Sequence, residues 1–247
     1  MIELIRNCSH GSEIATYIVT DINSRKKILK ASTSSSGIKN LKNEFEGWNW
    51  YKEIRYPLYK EPLCRVVQQK EKYLKIEIQF IEGIKADYRK GIKNNSELLK
   101  MIIKHYCKTW PFNKYEYSPL HGDLSIDNII YNSNGINFID WEHFNLKGAP
   151  WGFDALYLLF ETLWFSMKSR AKPNVDEVNI IKQNLDVLNS DGKLESKLLI
   201  SPLTSIKEFI NENYSIWGEQ LQLFRKKLPV LEFDEQQITN IEKLILS

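Results

Sequence analysis

The segment SPLHGDLSIDNII, residues 118–130, places polar side chains that could do chemistry between apolar flanks. Asp123 is followed by Asn128 five residues later, and Asp140 lies twelve residues beyond Asn128, at the end of the apolar run INFID. Phosphoryl transfer needs a carboxylate that orients the attacking hydroxyl, and hard oxygen ligands for the Mg²⁺ that neutralises a triphosphate. Asp123 can supply the first, and Asn128 and Asp140 can supply the second.

The sequence between the two candidate metal ligands predicts how they come together. The short runs NIIY and INFID flank Asn134-Gly135, which is a strong signal for a hairpin turn. A hairpin would carry Asn128 and Asp140 to the same end of adjacent strands. In the loop before it, His121 is predicted to support the loop through hydrogen bonds and not to transfer protons.

The first third of the chain predicts a small lobe of five strands and one helix. Strands are predicted at IELIR, EIATYIVT, KKILKAS, CRVVQQ and YLKIEIQFIEG, with the last ending at Gly83. A helix is predicted over SSSGIKNLKNEFEGWNWYKEI, with Ser35 or Ser36 as its cap. Its apolar residues at helical spacing are Ile38, Leu41, Phe45 and Trp48.

The remainder of the chain is predicted to be mostly helical. SELLKMIIKHYCKTW reads as a helix, and from Phe153 helical spacing continues to the end, through FDALYLLFETLWFSM, DEVNIIKQNLDVL and SIKEFINENYSIWGEQLQLFRKK. We therefore expect an α+β protein with an N-terminal lobe at residues 1–83 and a C-terminal helical lobe at residues 84–247. The hinge is predicted near Glu82-Gly83.

The loop and the strand end together resemble a known family. His121-Gly122-Asp123-Leu124 with Asn128, and the strand end IDWE that carries Asp140, are similar to the H-G-D-x-x-x-x-N and I-D-[FW]-E motifs of the aminoglycoside phosphotransferase and choline kinase superfamily. Protein kinases have H-R-D and D-F-G at these places. Gly122 in place of Arg, and Trp141-Glu142 in place of Phe-Gly, are typical of the small-molecule branch.

The resemblance implies a protein-kinase-like, two-lobed fold, with ATP and Mg²⁺ as cofactors. It implies that Lys30, on the third strand, binds the phosphates and pairs with Glu44 or, alternatively, Glu46 of the helix. It also implies that Asp154 braces the catalytic loop. Further nucleotide-binding residues are implied in the turn between the first two strands and in the hinge: Gly11, Ser12, Phe80 and Glu82.

The acceptor is predicted to be a small molecule with a hydroxyl group. Glu161 and Trp164 look like the acidic and aromatic groups of choline and ethanolamine kinases, and Trp141 and Glu142 are further candidate acceptor contacts. Only 37 residues lie between Gly83 and His121, so the site is expected to be open. We expect a sugar or surface-glycan precursor, with choline, ethanolamine or an aminoglycoside as alternatives.

Two other functions are weighed against this one. A protein kinase is disfavoured because only thirteen residues separate Asp140 from Asp154, and no A-P-E follows. A non-catalytic, nucleotide-binding module on the same fold remains an alternative. Such a module would be expected to lack one of the four residues that carry the chemistry, and all four are present: Lys30, Asp123, Asn128 and Asp140.

Composition sets outer bounds on the function. The 247 residues are 43% hydrophobic and 26% charged, with a net charge of +3, which is too mild to indicate nucleic acid. Residues 1–140 hold 22 Lys and Arg against 16 Asp and Glu, and a basic front suits an anionic ligand. No membrane span or signal peptide is predicted.

The three cysteines are far apart, which favours a cytoplasmic location. The oligomeric state and the preference between ATP and GTP stay open.

Overall fold

A five-stranded antiparallel sheet forms the N-terminal lobe. Its strands lie in the order β1-β2-β3-β5-β4 and are β1 (Ile2–Arg6), β2 (Ala15–Thr20), β3 (Lys26–Ser32), β4 (Cys64–Lys70) and β5 (Tyr73–Gln79). All five were predicted, although β5 ends before the predicted Gly83. The computed structural model describes residues 1–6, 13–112, 117–167, 170–192, 205–211, 231 and 233–246.

Strands β3 and β5 place Lys30 on the inner face of this sheet. Lys30 lies opposite Ile76 in the β3–β5 register. Directly opposed residues of an antiparallel pair project to the same face, and Leu74, Ile76 and Ile78 are all buried on that face. The register therefore carries the Lys30 side chain inward, toward the helix that covers the sheet.

That helix, α1 (Ser35–Arg55), covers the inner face of the sheet. The prediction that Ser35 or Ser36 caps it is wrong. Ser34 is the N-cap, because its extended backbone lets Oγ accept a hydrogen bond from the Gly37 N–H at 3.0 Å. Leu41 and Trp48 are buried, in agreement with the predicted spacing.

The C-terminal lobe is built from helices, as predicted. They are α2 (Gly91–Asn94), α3 (Ser96–Thr109), α4 (Phe153–Met167), α5 (Val175–Gly192), α6 (residues 206–211) and α7 (Glu235–Leu246). The remainder of the helix predicted over residues 205–227 lies outside the described residues. Helix α4 is almost entirely buried, because apolar residues occupy most of its surface. None of the helices in the described ranges has the length and apolar character needed to cross a membrane.

Short strands follow the N-terminal sheet, pair among themselves and carry the loop motifs. They are β6 (Ile84–Lys85), β7 (Ser118–Leu120), β8 (Ile129–Asn132), β9 (Gly135–Phe138) and β10 (Asn145–Ala149). The predicted hairpin is β8–β9, but its two-residue turn is Ser133-Asn134, and Gly135 follows with a φ of +106°. Strand β6 pairs with β8, and β10 pairs with β7. Neither β6 nor β10 was predicted, because each is short and mostly exposed.

The C-terminal half of α1 packs on the C-terminal lobe as well as on the sheet. The Tyr51 hydroxyl accepts from the Phe138 N–H at 3.4 Å, and Arg55 Nη2 donates to the Asn134 carbonyl at 2.9 Å. Gly47 marks the closest approach, since a Cβ added there would lie 2.7 Å from the Trp141 Cβ. The helix therefore contacts the chain on both sides of Asp140, at the β8–β9 hairpin and at Trp141.

We predict that Gly47→Ala lowers the free energy of unfolding by about 1–3 kcal/mol. Overpacking against the fixed Trp141 Cβ should outweigh the gain in helix propensity, which is less than about 1 kcal/mol. Urea denaturation of the purified variant measures the change. The adjacent, exposed Glu46 provides the control, because Glu46→Ala should alter stability by only about 0.5 kcal/mol or less. Equal stability of the two variants would contradict tight packing at this contact.

Candidate active site

Asp154 holds the loop that carries Asp123. The loop joins β7 to β8, and Asp154 lies buried beneath it in the first turn of α4. One carboxylate oxygen of Asp154 accepts from the His121 N–H at 2.7 Å, and the other accepts from the Gly122 N–H at 3.0 Å. Burial raises the pKa of Asp154 to about 7, and these two donors oppose the rise. The resemblance implies that Asp154 braces the catalytic loop, and in this structure Asp154 accepts both of these hydrogen bonds from that loop.

His121 joins the loop to the strand end that carries Asp140. Its Nε2 lies 3.0 Å from the Ile139 carbonyl, and its Nδ1 lies 3.4 Å from the Asp123 N–H. A carbonyl can only accept, so Nε2 carries the proton and Nδ1 is the acceptor. Burial lowers the pKa of His121 to about 3. The ring is thus a neutral hydrogen-bonding support, which suits the predicted role.

Gly122 has a backbone that only glycine adopts easily at this place. Its φ is +87°, and a Cβ would lie 2.6 Å from the His143 Cβ and 2.8 Å from the His143 carbonyl oxygen. The arginine that protein kinases carry here therefore does not fit this loop. The close packing explains why the second motif position is glycine.

Asn128 connects Asp123 to the hairpin. Its Nδ2 donates to the Asp123 carbonyl at 2.8 Å and lies 3.2 Å from Asp123 Oδ2. The Ile139 N–H donates to the Asn128 carbonyl at 3.0 Å, so the hairpin brings Asn128 beside the segment that ends at Asp140. Because Nδ2 makes the bonds to Asp123, Oδ1 is the atom of Asn128 that could bind a metal.

Lys30, Glu44 and Asp140 meet in one ion cluster, in which Lys30 and Glu44 are buried and the Asp140 side chain is 23% exposed. Lys30 Nζ lies 2.7 and 2.8 Å from the two carboxylate oxygens of Glu44 and 2.5 Å from Asp140 Oδ1. Burial lowers the pKa of Lys30, but Asp140 and Glu44 raise it by more, so the amine stays charged. Glu46, the alternative partner, is exposed. The structure therefore pairs Lys30 with Glu44.

Asp140 adopts a backbone conformation that is unusual for its residue type. Its φ is +66°, and Ser24 is the only other non-glycine residue with positive φ in the described ranges. Left-handed non-glycine residues occur at functional sites more often than elsewhere. This conformation directs the chain away from β9 directly after the hairpin and precedes the fully buried Trp141.

Negative charge accumulates around Asp123. Burial raises the pKa of Asp123 to about 7, and the charges of Asp140 and then Glu142 add to the rise. Glu142 therefore lies close enough to belong to the same acidic group. Among the described residues, no group of three or more His, Cys, Asp or Glu side chains is arranged to hold a metal ion.

The donor atoms present nevertheless fit a divalent metal that is shared with a polyphosphate. The amide oxygen of Asn128 and the carboxylate of Asp140 are hard ligands of the kind that Mg²⁺ prefers. Mg²⁺ is usually held by one or two protein ligands, with phosphates and waters completing its coordination. Asn128 and Asp140 would hold it here.

The structure contradicts the prediction that Trp141 contacts the acceptor. Its side chain is 0% exposed, and its indole N–H donates to the Phe138 carbonyl at 3.2 Å. The ring packs in an aromatic cluster between α1 and the C-terminal lobe that contains Trp48, Trp50, Tyr51, Trp110, Trp141 and Phe144. Burial of this large apolar surface is more favourable than its exposure in an open site.

Helix α4 presents the remaining acceptor candidates. Glu161 and Trp164 are partly exposed, as an acceptor contact requires. The Tyr157 hydroxyl donates to Glu161 Oε1 at 3.0 Å. Burial raises the pKa of Tyr157 well above its ordinary value, and the negative charges of Glu161 and Asp123 add to the rise. Sequence reasoning missed Tyr157, although its spacing of four residues from Glu161 places both on one helix face.

The predicted nucleotide contacts outside the ion cluster are only partly described. Gly11 and Ser12 lie outside the described residues. In the hinge, the Glu82 carbonyl accepts a hydrogen bond from Asn132 Nδ2 at 2.6 Å, which ties the hinge to β8. Lys26 Nζ lies 5.4 Å from the centre of the Phe80 ring.

Known proteins with similar structure were found, although no protein-family model and no curated protein matches the sequence. The amicoumacin kinase hAmiN in complex with AMP-PNP, Ca²⁺ and Ami is 13% identical, over 99% of this chain and 86% of that one, with a TM-score of 0.56. The streptomycin–ATP–APH(2")-IIa ternary complex is 16% identical, over 90% of each chain, with a TM-score of 0.44. The ADP-bound aminoglycoside phosphotransferase APH(2'')-Ib is 13% identical, over 87% of this chain and 91% of that one, with a TM-score of 0.38. The first likeness confirms the two-lobed, kinase-like α+β fold expected from the sequence.

We predict that Asp154→Ala lowers the free energy of unfolding by about 2–6 kcal/mol. Two buried N–H donors would each lose their acceptor, at a cost of about 1–3 kcal/mol apiece. Urea denaturation measures the loss. Asp176→Ala is the control: it breaks the ion pair between exposed Lys93 and Asp176, which is worth about 1 kcal/mol or less. A similar effect of both substitutions would contradict the bracing role.

We further predict that Glu44→Gln weakens the binding of AMP-PNP with Mg²⁺ by about tenfold or more, because charged hydrogen bonds to Lys30 are lost. Titration calorimetry on purified protein measures the affinity. Glu46→Gln removes the same charge from an exposed position two residues away and should leave the affinity unchanged. If Glu46→Gln weakens binding as much as Glu44→Gln does, the pairing with Glu44 does not serve nucleotide binding.

Proposed function

We propose that this protein is an ATP-dependent phosphotransferase that moves the γ-phosphoryl group to a hydroxyl of a small molecule. One observation carries the proposal: the buried Lys30 ammonium joins Glu44 to Asp140, and the loop that carries Asp123 is fixed beside the same strand end. A polyphosphate-binding cation, a metal-binding oxygen pair and a candidate base thus meet at one place. Phosphoryl transfer depends on such positioning and on electrostatic stabilisation.

Each residue of the site has a separate role in the proposed transfer. Lys30, held by Glu44, binds the phosphates of the nucleotide. Asp123 accepts a hydrogen bond from the acceptor hydroxyl, orients it and takes its proton late in the transfer. Asn128 and Asp140 hold Mg²⁺. When bound, this ion supplies charge neutralisation to the phosphates.

The fold supports this proposal independently of the motifs. The amicoumacin kinase that shares the fold is in complex with AMP-PNP, Ca²⁺ and Ami, that is, with an ATP analogue and a divalent cation. A protein kinase is not supported, because the chain passes from Asp140 to Asp154 through β10 and leaves little room to hold a peptide.

Charge favours an acceptor that bears an amine. Asp123, Glu142 and Glu161 are acidic, and in the ion cluster the Lys30 ammonium is already shared between two carboxylates. A cationic amino alcohol or aminoglycoside is attracted to such a surface, whereas a neutral sugar gains nothing from its charge. The sugar or glycan precursor expected from the sequence receives no support from the site, so we now propose an amine-bearing acceptor.

An acceptor panel tests the function. Purified protein with Mg²⁺ and ATP is incubated with amino alcohols, aminoglycosides and neutral sugars, and both ADP release and phosphorylated products are measured. The proposal expects amine-bearing acceptors to stimulate ADP release and to gain one phosphate. Tight ATP binding without any acceptor-dependent turnover would favour a non-catalytic, nucleotide-binding module instead.

Asp123→Asn should lower kcat by about 10²–10⁴-fold, which is the usual contribution of a general base. Affinity for AMP-PNP with Mg²⁺ should change little, because Asp123 serves the acceptor in this proposal. Turnover and nucleotide affinity are measured on the same variant, with Asp127→Asn, which removes a partly exposed charge four residues away, as the control. Retained turnover would exclude Asp123 as the base, and lost nucleotide binding would place it among the metal ligands.

A further inference from the structure

The Lys30 ammonium lies where a metal at Asp140 would have to compete with it. Lys30 Nζ is 2.5 Å from Asp140 Oδ1. Mg²⁺ binds carboxylate oxygen at about 2.0–2.1 Å, so an ammonium and a metal ion cannot both contact this oxygen without approaching each other closely. Two positive charges in such a poorly solvated place repel each other strongly.

The ammonium is held firmly in this position. Lys30 is only 8% exposed and Glu44 only 1% exposed, so few water molecules can replace the contacts that the ammonium makes. Glu44 itself is anchored through α1, which packs on the aromatic cluster that follows Asp140. A metal that binds Oδ1 of Asp140 therefore has to displace this ammonium, and a metal on the other oxygen of the same carboxylate would still lie close to its positive charge.

We propose that Lys30 competes with divalent metal for Asp140, so that metal binds tightly only together with a polyphosphate nucleotide. The nucleotide phosphates offer the ammonium a stronger partner, and Asp140 then becomes accessible to the metal. Lys30 thus couples the two binding events, and each ligand raises the affinity of the other by the same factor. This inference rests on the proposed function for the location of the metal site.

The proposal therefore expects that removal of the Lys30 ammonium improves metal binding. In the absence of nucleotide, a variant without the Lys30 ammonium should bind divalent metal more tightly than the natural protein does. Substitution of Lys30 alone would leave Glu44 buried without its cation, which is costly. Lys30→Met with Glu44→Gln removes both charges together and avoids this penalty.

The experiment measures Mn²⁺ binding by electron paramagnetic resonance, without nucleotide, in the natural protein and in the Lys30→Met/Glu44→Gln double variant. Circular dichroism and thermal unfolding verify that the variant is folded. We expect the double variant to bind Mn²⁺ about tenfold more tightly or better, because an adjacent positive charge is gone. Lys27→Met, which removes a lysine charge from the same strand where Lys27 pairs with Glu77, should leave Mn²⁺ binding unchanged.

A third substitution locates the gained site. Adding Asp140→Ala to the double variant should abolish the gain. Equal Mn²⁺ affinity in the natural protein and the double variant overturns the proposal, and so does a gain that survives the loss of Asp140.

Measuring Mn²⁺ binding in the presence of AMP-PNP distinguishes failure of the proposed competition from failure of the proposed phosphotransferase function. If the natural protein binds Mn²⁺ with AMP-PNP but the nucleotide-free affinities are equal, only the competition is wrong. If the natural protein binds no Mn²⁺ with AMP-PNP while the double variant gains nucleotide-free binding at Asp140, the competition stands and the phosphotransferase proposal falls.

Discussion

The contact of one buried ammonium with two carboxylates, one buried and one partly exposed, is the constraint on which the site depends. Lys30 comes from the sheet, Glu44 from the helix that covers it, and Asp140 from the end of a hairpin in the other lobe. A buried charge is tolerated only where partners of opposite sign surround it. The sheet register, the position of α1 and the hairpin must therefore all be correct for Lys30, Glu44 and Asp140 to contact one another.

In the C-terminal lobe, buried side chains fix the loop that carries Asp123 through hydrogen bonds. Asp154 holds two backbone N–H groups, and the neutral ring of His121 bridges the loop to the strand end. Each of these supports is buried, whereas Asp123 remains partly exposed. A buried frame thus holds the partly exposed carboxylates of Asp123 and Asp140 in fixed positions, which is the kind of positioning that the proposed phosphoryl transfer needs.

The sequence was sufficient for the five strands of the N-terminal sheet, for the main helices and for the grouping of Asp123, Asn128 and Asp140, because each of these leaves a local signal. Alternating and helical spacing predicted the five strands and the main helices, and motif spacing predicted Asp123, Asn128 and Asp140 as a group. Contacts between distant segments left no such signal. Trp141 looked like an acceptor contact because its ring type suits one, yet the packing of α1 buries it completely. Tyr157 was overlooked because a tyrosine on an apolar helix resembles ordinary core, and the strand β10 was missed because its sequence, NLKGA, has no strand character apart from its pairing with β7.

Because α1 packs on both lobes, the protein cannot be cut at the hinge without exposing apolar surface. The lobe boundary predicted from the sequence lies at Gly83. Three aromatic residues before this boundary, Trp48, Trp50 and Tyr51, nevertheless pack against rings that lie beyond residue 100. A fragment that ended at the hinge would present these aromatic side chains to water, and the remaining fragment would expose Trp110 and Trp141. The two lobes are thus distinct in architecture yet share one hydrophobic core, so we expect neither to fold without the other.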